Sequence, residues 1–336
     1  MKLFVSIPQN SDVLNTFIPD DVKNYLEERF EVTYSPLNRQ LTQEEIIIYA
    51  QNADAIMTGW QHCPLDGNTL KETSIKLIVH TGGSVGSLVN KEVYERGIRV
   101  LSGNNLFADS VAEGVLAYMF TALRKIPDYI NNMKIGGWRM DGNPEYFTEG
   151  LLDQTIGIIG MGAISKRVIN LLKPFNVKLK LYSSYPIDEN YLRENNAHQA
   201  SLEEIFATCK IVSLHSALTE RTRNLIGKEH FDLLQNDAIF INTSRGAIIR
   251  ENEMFEALKE NRFRAVLDVF CEEPLAPDSE LRNLKNVYCL PHRAGPTMDR
   301  RAIITKRLAD DMVKFMNGEK MDLEITGAYA SRMTIT

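Results

Sequence analysis

Short apolar runs of strand length recur along the chain at residues 2–7, 32–34, 55–58, 77–80 and 98–101, and again at 155–160, 178–182, 211–214, 238–242, 264–267 and 287–290. Polar stretches with helical spacing separate several of them. Residues 20–30 set Val22, Tyr25, Leu26 and Phe30 on one face, the stripe of a half-buried helix. Residues 228–234 and 251–260 read as crossover helices, and 297–317 carries Ile303, Ile304, Leu308, Met312 and Phe315 near helical spacing, with Gly318 as a natural stop. Strands alternating with helices predict an α/β protein with parallel sheets and crossover connections. The longest helix of the middle region is expected to open at Asp109-Ser110. There Ser110 and Glu113 have capping-box spacing, and Val115, Leu116, Met119, Phe120 and Leu123 form the stripe. Residues 130–150 break the rhythm, being rich in Asn and carrying Gly136-Gly137-Trp138. So long a connection inside a compact domain is uncommon without a role. No element is assigned to the tail at 318–336.

Length sharpens this picture. At 336 residues the chain is long for one core, so two domains are expected, the first α/β unit at about 1–103. Composition is that of an ordinary globular chain, 44% hydrophobic and 24% charged. A net charge of -6 gives no reason to expect nucleic acid or an anionic membrane as a partner. No uninterrupted apolar run approaches the roughly 18 residues of a membrane span. The start, MKLFVSIPQN, reads as a first strand and not a signal peptide. Cys63, Cys209, Cys271 and Cys289 are scattered without a C-x-x-C, so neither a metal site nor a disulfide framework is indicated, and a reducing cytoplasm fits.

The candidate chemistry lies between 238 and 292. Three runs there each end in a polar residue at a turn: Arg245 soon after the first, Asp268 after the second, His292 after the third. Residues just past the carboxyl ends of neighbouring parallel strands converge on one crevice, so Arg245, Asp268, Glu273 and His292 are expected to meet. The guanidinium can grip a carboxylate through two parallel bonds. The imidazole can pass a proton near neutral pH, with a carboxylate beside it to orient it and raise its pKa. Cys271 shares the loop, but no His is placed to activate it, and it reads as a bystander.

Glycine turns add a second theme. After the run at 155–160 comes Gly160-Met161-Gly162-Ala163-Ile164-Ser165, one residue away from a G-x-G-x-x-G fingerprint. Set between a strand and a helix, Gly160, Gly162, Ala163 and Ile164 offer a tight turn and backbone N–H groups to a pyrophosphate. The acid expected about 20 residues later is replaced by Ser183 and Ser184. Their hydroxyls suit a ribose hydroxyl or a 2′-phosphate, which leaves NAD and NADP both open; NAD is favoured because no Arg flanks the serines. Another turn, Gly82-Gly83-Ser84, follows the run at 77–80. It exposes N–H groups to an anion, although glycine turns are common for purely conformational reasons. His215 closes the run at 211–214 and reads as structural.

N-T-S-R-G at 242–246, L-D-V-F-C-E-E-P at 267–274 and P-H at 291–292 before a glycine-containing turn together resemble the D-isomer-specific 2-hydroxyacid dehydrogenases, in that family's order and spacing and over nearly the whole chain. The resemblance implies two Rossmann-like or flavodoxin-like doubly wound parallel-sheet domains with a cleft between them. The substrate domain would comprise 1–103 with about 297–336. The NAD(P)-binding domain would comprise 104–296, including an arm at about 106–150 that crosses to a second subunit of a homodimer. It implies hydride transfer between a D-2-hydroxy acid and a 2-oxo acid. Arg245 would bind carboxylate, His292 would be the acid/base and Glu273 its partner. Asp268 would hold the nicotinamide carboxamide, with His215 and Thr243 also lining the cofactor, and Gly82, Gly83 and Ser84 would bind substrate. The H-x-P-L-T turn of the family is present with Ala217 in place of proline. Two other readings of the fold are a dinucleotide-sensing corepressor and a phosphite dehydrogenase. A formate enzyme is disfavoured because Glu273 stands where such enzymes carry glutamine.

Overall fold

The structure, a computed structural model, describes residues 1–138 and 147–335. Residues 139–146 of the expected arm lie outside the described residues. The chain divides into two compact units, Met1–Ser110 with Pro296–Thr336, and Val111–Gly295. The first unit therefore runs on past 103, because the helix after its last strand is continuous and the division falls inside that helix.

The first unit holds β1 (Lys2–Val5), β2 (Glu31–Tyr34), β3 (Ala55–Thr58), β4 (Leu77–His80) and β5 (Arg99–Ser102). They form one parallel sheet in the order β2-β1-β3-β4-β5. β3 and β4 are buried along their whole length, as expected of parallel strands covered on both faces. Successive side chains go to opposite cores. Leu3 and Val5 join Phe17, Leu26 and three residues of the helix Met298–Met316, namely Ile304, Leu308 and Met312. Phe4 joins Ile46, Ile56, Ile78 and Val93.

The second unit holds β6 (Thr155–Ile159), β7 (Lys178–Tyr182), β8 (Ala197–Gln199), β9 (Ile211–Leu214), β10 (Ile239–Asn242), β11 (Arg264–Leu267) and β12 (Val287–Cys289). They too are all parallel, in the order β12-β11-β10-β9-β6-β7-β8. Both sheets are doubly wound. Their order reverses between β1 and β3 in one and between β6 and β9 in the other, where such sheets take their ligands.

Three expectations need correction. The long helix spans Asn104–Leu123 and does not open at Asp109. The Ser102 hydroxyl accepts the Asn104 amide at 3.1 Å, so the start is capped from the end of β5, and Ser110 is buried inside the helix. By length and mean hydropathy, 1.4, this helix is long and apolar enough to cross a membrane. Here it is a core helix: Ala112, Val115 and Met119 share a core with Ile156, Ile158 and Ile241. A second helix, Ile126–Lys134, runs into the start of the irregular stretch, with Pro127 in its first turn. The tail also has structure: Glu324 bridges Leu101 in antiparallel fashion, and Met321, Leu323, Ile325 and Met333 are buried.

Candidate active site

β10, β11 and β12 lie in register, with Asn242 beside Leu267 and Leu267 beside Cys289, so their following turns open on one sheet edge. Asn242 shapes the first turn. Its side-chain oxygen accepts the Ser244 amide at 2.9 Å, and its amide nitrogen donates to the Arg245 carbonyl at 3.2 Å, an Asx turn. Arg245 is left partly buried, donating to the Ser244 carbonyl at 2.7 Å. Burial lowers its pKa and the Glu273 charge opposes that shift; a guanidinium remains charged regardless. Gly246 has a steric purpose. A Cβ there would lie 2.0 Å from the Phe270 carbonyl carbon and 2.2 Å from the Cys271 nitrogen, so only glycine lets the loop after β11 cross here.

That loop carries Glu273. One of its carboxylate oxygens accepts the Phe270 amide at 3.0 Å, and the other lies 2.7 Å from His292 Nδ1. A carboxylate only accepts, so Nδ1 is the donor and Nε2 is left to face a reactant. The imidazole is 46% exposed. The His292 backbone is left-handed, φ 52°, a region where His is among the better tolerated side chains; its N–H donates to the Asp268 carbonyl at 2.9 Å. Asp268 itself is buried. Its Oδ1 accepts the Arg293 amide at 2.7 Å and the Tyr118 hydroxyl at 3.1 Å, and its Oδ2 accepts the Ala294 amide at 2.9 Å. The loop thus gathers Arg245, Glu273 and His292 on one edge, while Asp268 lies beneath the His292 turn. The Cys271 thiol is pushed up to about 11, by burial first and then by Glu251, and at neutral pH is not a thiolate nucleophile.

At the start of β6's following turn, Gly160 has φ 98°, and a Cβ would meet the Ser216 nitrogen at 2.6 Å. Around Gly162 a Cβ would meet nothing within 4 Å, and Gly162 precedes the helix Ala163–Leu172 with no side-chain cap. Ser165, in place of the fingerprint's third glycine, is buried and donates back to the Gly160 carbonyl at 2.6 Å. A hydroxyl that satisfies itself locally is accepted where glycine is usual. Past β7, Ser183 accepts the Tyr185 amide at 3.2 Å, and Ser184 is exposed. His215 is buried, 2.9 Å from the Ser213 hydroxyl, and burial brings its pKa down to about 4.

In the first unit, Gly82 is required because a Cβ would lie 2.3 Å from His80 Nε2. The Ser102 hydroxyl braces the turn by donating to the Gly82 carbonyl at 3.2 Å, and Ser84 donates to the Thr334 carbonyl at 2.6 Å. Trp60 packs edge-on against Phe17 and Phe107; Trp138 is 74% exposed.

The model of the D-isomer specific 2-hydroxyacid dehydrogenase NAD binding domain matches residues 116–294. The glyoxylate reductase/hydroxypyruvate reductase of Homo sapiens is 30% identical over 253 residues, covering 75% of this chain and 77% of that protein. The chain belongs to the D-isomer specific 2-hydroxyacid dehydrogenase family. Another relative, the glyoxylate reductase of Korarchaeum cryptofilum, is 29% identical over 306 residues, 90% of this chain and 91% of that protein. The fold of D-2-hydroxyisocaproate dehydrogenase matches with a TM-score of 0.79 at 22% identity, over 97% of this chain and 100% of that one. The dehydrogenase is thus an NAD(P)-dependent oxidoreductase acting between 2-hydroxy and 2-oxo acids.

Its second unit fits such a dinucleotide. Besides the open Gly162 turn, His215 Nδ1 and Thr243 Oγ1 are buried and have no protein partner. They follow β9 and β10 at adjacent positions, since Leu214 pairs with Asn242. Two orphaned polar atoms side by side at strand ends mark a place for a polar ligand. Among the described residues no cluster of His, Cys, Asp and Glu could hold a metal. Sequence reasoning missed Asn242 and Gly246 as site-shaping residues. An Asn at a strand end before a turn was the available signal for the first; the second needed the crossing loop to be seen.

Proposed function

We propose that this dehydrogenase reduces a short 2-oxo acid, glyoxylate or hydroxypyruvate, to the corresponding 2-hydroxy acid, with NADH as the preferred donor. The supporting observation is Arg245. Among the described residues the guanidinium's single hydrogen bond goes to the Ser244 carbonyl, and nearby His292 and Glu273 pair at 2.7 Å. A partly buried guanidinium with donors to spare is suited to a planar carboxylate. The bound dinucleotide supplies the hydride received by the keto carbon. Arg245 stabilises the negative charge developing on the keto oxygen. His292 gives a proton from Nε2 to that oxygen, and Glu273 holds the ring through Nδ1. In the reverse direction His292 takes the hydroxyl proton.

The other expected residues are given matching roles. Gly82, Gly83 and Ser84 offer backbone N–H groups to the substrate carboxylate. Gly160, Gly162, Ala163 and Ile164 take the pyrophosphate, and Ser183 or Ser184 the adenosine ribose. Asp268 takes the carboxamide, with His215 and Thr243 alongside. The names of the two relatives, both reductases of glyoxylate, support a short substrate. Initial rates with glyoxylate, hydroxypyruvate, pyruvate and bulkier 2-oxo acids, each with NADH and NADPH, test this reading. Turnover is expected to be fastest with the first two, and no turnover of any 2-oxo acid would sink it.

The dehydrogenase is further proposed to act as a homodimer. Ile126, Ile130, Met133, Ile135, Trp138 and Phe147 are exposed on and beyond the helix Ile126–Lys134, a concentration that suits a second copy of the chain. Light scattering should give twice the chain mass, and a monomer at micromolar concentration would remove the proposal. All four cysteines are free, in keeping with a reducing cytoplasm.

A further inference from the structure

Tyr118 has no part in the chemistry described so far, yet it touches the residue on which the His292 turn rests. It lies on the helix Asn104–Leu123 with 9% of its surface exposed, and its hydroxyl donates to Asp268 Oδ1 at 3.1 Å. A leucine would fill a core position without a polar atom to satisfy, so a buried phenol calls for its partner. That partner is a carboxylate only 1% exposed. Asp268 holds three consecutive amides: His292 through its carbonyl at 2.9 Å, and Arg293 and Ala294 through its carboxylate at 2.7 and 2.9 Å. A carboxylate accepts about four hydrogen bonds. Among the described residues two are used on Oδ1 and one on Oδ2, which leaves Oδ2 one further direction. Gly114, one helical turn before Tyr118, faces the same turn; a Cβ there would lie 3.2 Å from Ala294 Cα. Residues four apart share a helix face. The helix thus makes room for turn 292–294 at Gly114 and anchors the carboxylate beneath it at Tyr118.

We propose that Tyr118 is a positioning residue: its hydroxyl fixes the rotation of the Asp268 carboxylate. Through that carboxylate it sets both the turn that aims His292 and the further acceptor direction on Oδ2. This rests on the roles proposed above for His292 and Asp268. Burial, reinforced by the Asp268 charge, raises the Tyr118 pKa, which keeps the hydroxyl a donor. Without it the carboxylate keeps two amide donors but loses the contact that opposes twisting about its own axis.

Tyr118→Phe deletes the hydroxyl alone. In the ligand-free chain, amide exchange at Arg293 and Ala294 is expected to rise about tenfold while the β10 amides stay unchanged. In turnover, kcat is expected to fall about tenfold with the KM for the 2-oxo acid within about twofold, because Arg245 is untouched. Calorimetric titration should show a larger loss of affinity for NADH than for its 3-acetylpyridine analogue, which has no carboxamide N–H to offer Asp268. Exchange rising equally across β10 and the turn would assign Tyr118 to general packing. Unchanged exchange with unchanged kcat would leave it no role; either result overturns the proposal. Should the native chain reduce no 2-oxo acid, the proposed function fails, and the exchange measurement still decides whether Tyr118 holds the turn. If Tyr118→Phe does not fold, Gly114→Ala presses the same turn from the same face and is expected to give the same local rise in exchange and the same split between kcat and KM.

Discussion

The carboxyl ends of the two sheets are built alike and finished differently. At the five-stranded sheet most polar groups satisfy one another, the buried His62 Nε2 and Gln40 Oε1 being exceptions. The Thr58 hydroxyl lies 2.9 Å from His80 Nδ1, the Thr81 hydroxyl donates to the Thr58 carbonyl at 3.1 Å, and the Ser102 hydroxyl donates to the Gly82 carbonyl at 3.2 Å. Burial brings His80 down to about 3, so it is a neutral strut. At the seven-stranded sheet, His215 Nδ1 and Thr243 Oγ1 have no partner, and His292 is 46% exposed beside Glu273. His80, His215 and His292 all stand at or just past the end of a parallel strand. Position in the fold therefore does not make a histidine chemical. The difference lies in the ring's own setting: His80 is sealed from solvent and held neutral, whereas His292 is exposed and paired with a carboxylate.

The sharpest way to break this contrast is His292→Ala. It should lower kcat by about two or more orders of magnitude, the usual share of a positioned acid–base group, with dinucleotide affinity retained. Near-normal turnover would remove His292 from the chemistry. Next comes Arg245→Lys, expected to raise the KM for the 2-oxo acid by about tenfold or more, since an ammonium cannot reproduce the planar fork; an unchanged KM would end the carboxylate role. Ser183→Asp should swing the NADH/NADPH ratio of kcat/KM by about tenfold toward NADH, through a charge-assisted bond to the ribose and repulsion of a 2′-phosphate. If the ratio stays flat, Ser184, the exposed neighbour, becomes the position to test.

The smallest effect concerns His80. Its folded pKa, about 3, lies below the ordinary 6.5, so between those values the unfolded chain binds the proton more readily. Its contribution to stability is full above 6.5 and is lost as pH falls toward 3, at about 1.4 kcal/mol per pH unit. His80→Gln should flatten the fall in unfolding free energy between pH 6.5 and 5 by that amount, leaving the similar contribution of His215. An unaltered slope would mean that His80 takes up its proton as readily in the fold as in the unfolded chain.

Most strands were legible because each is a compact apolar run; β3, β4, β7, β9 and β11 have the boundaries that their runs predict. β8 was missed. It is an edge strand of three residues, none of them buried, and so carries no apolar signal. The start of the long helix was misread because Ser110 and Glu113 mimic a cap, whereas the capping hydroxyl belongs to Ser102 on the preceding strand, a contact that local spacing does not encode. The stripe read along that helix included Leu116 and Phe120, which are only partly buried, and passed over Tyr118, which is buried. Arg245, Glu273 and His292 stood out as charged groups beyond apolar runs. Asn242, Gly246 and Tyr118 did not, because each matters through a contact with a distant segment.

Gly246 carries a consequence for anyone who would remodel the dehydrogenase. Phe270 and Cys271 pass so close that a single added carbon at 246 would sit 2.0 Å from main chain, so the segment bearing Arg245 and the segment bearing Glu273 are interlocked like two links. Neither can be exchanged for a relative's version, lengthened or shortened without reshaping the other. Grafting of new substrate preference at this edge should therefore move residues 242–246 and 268–274 as one cassette.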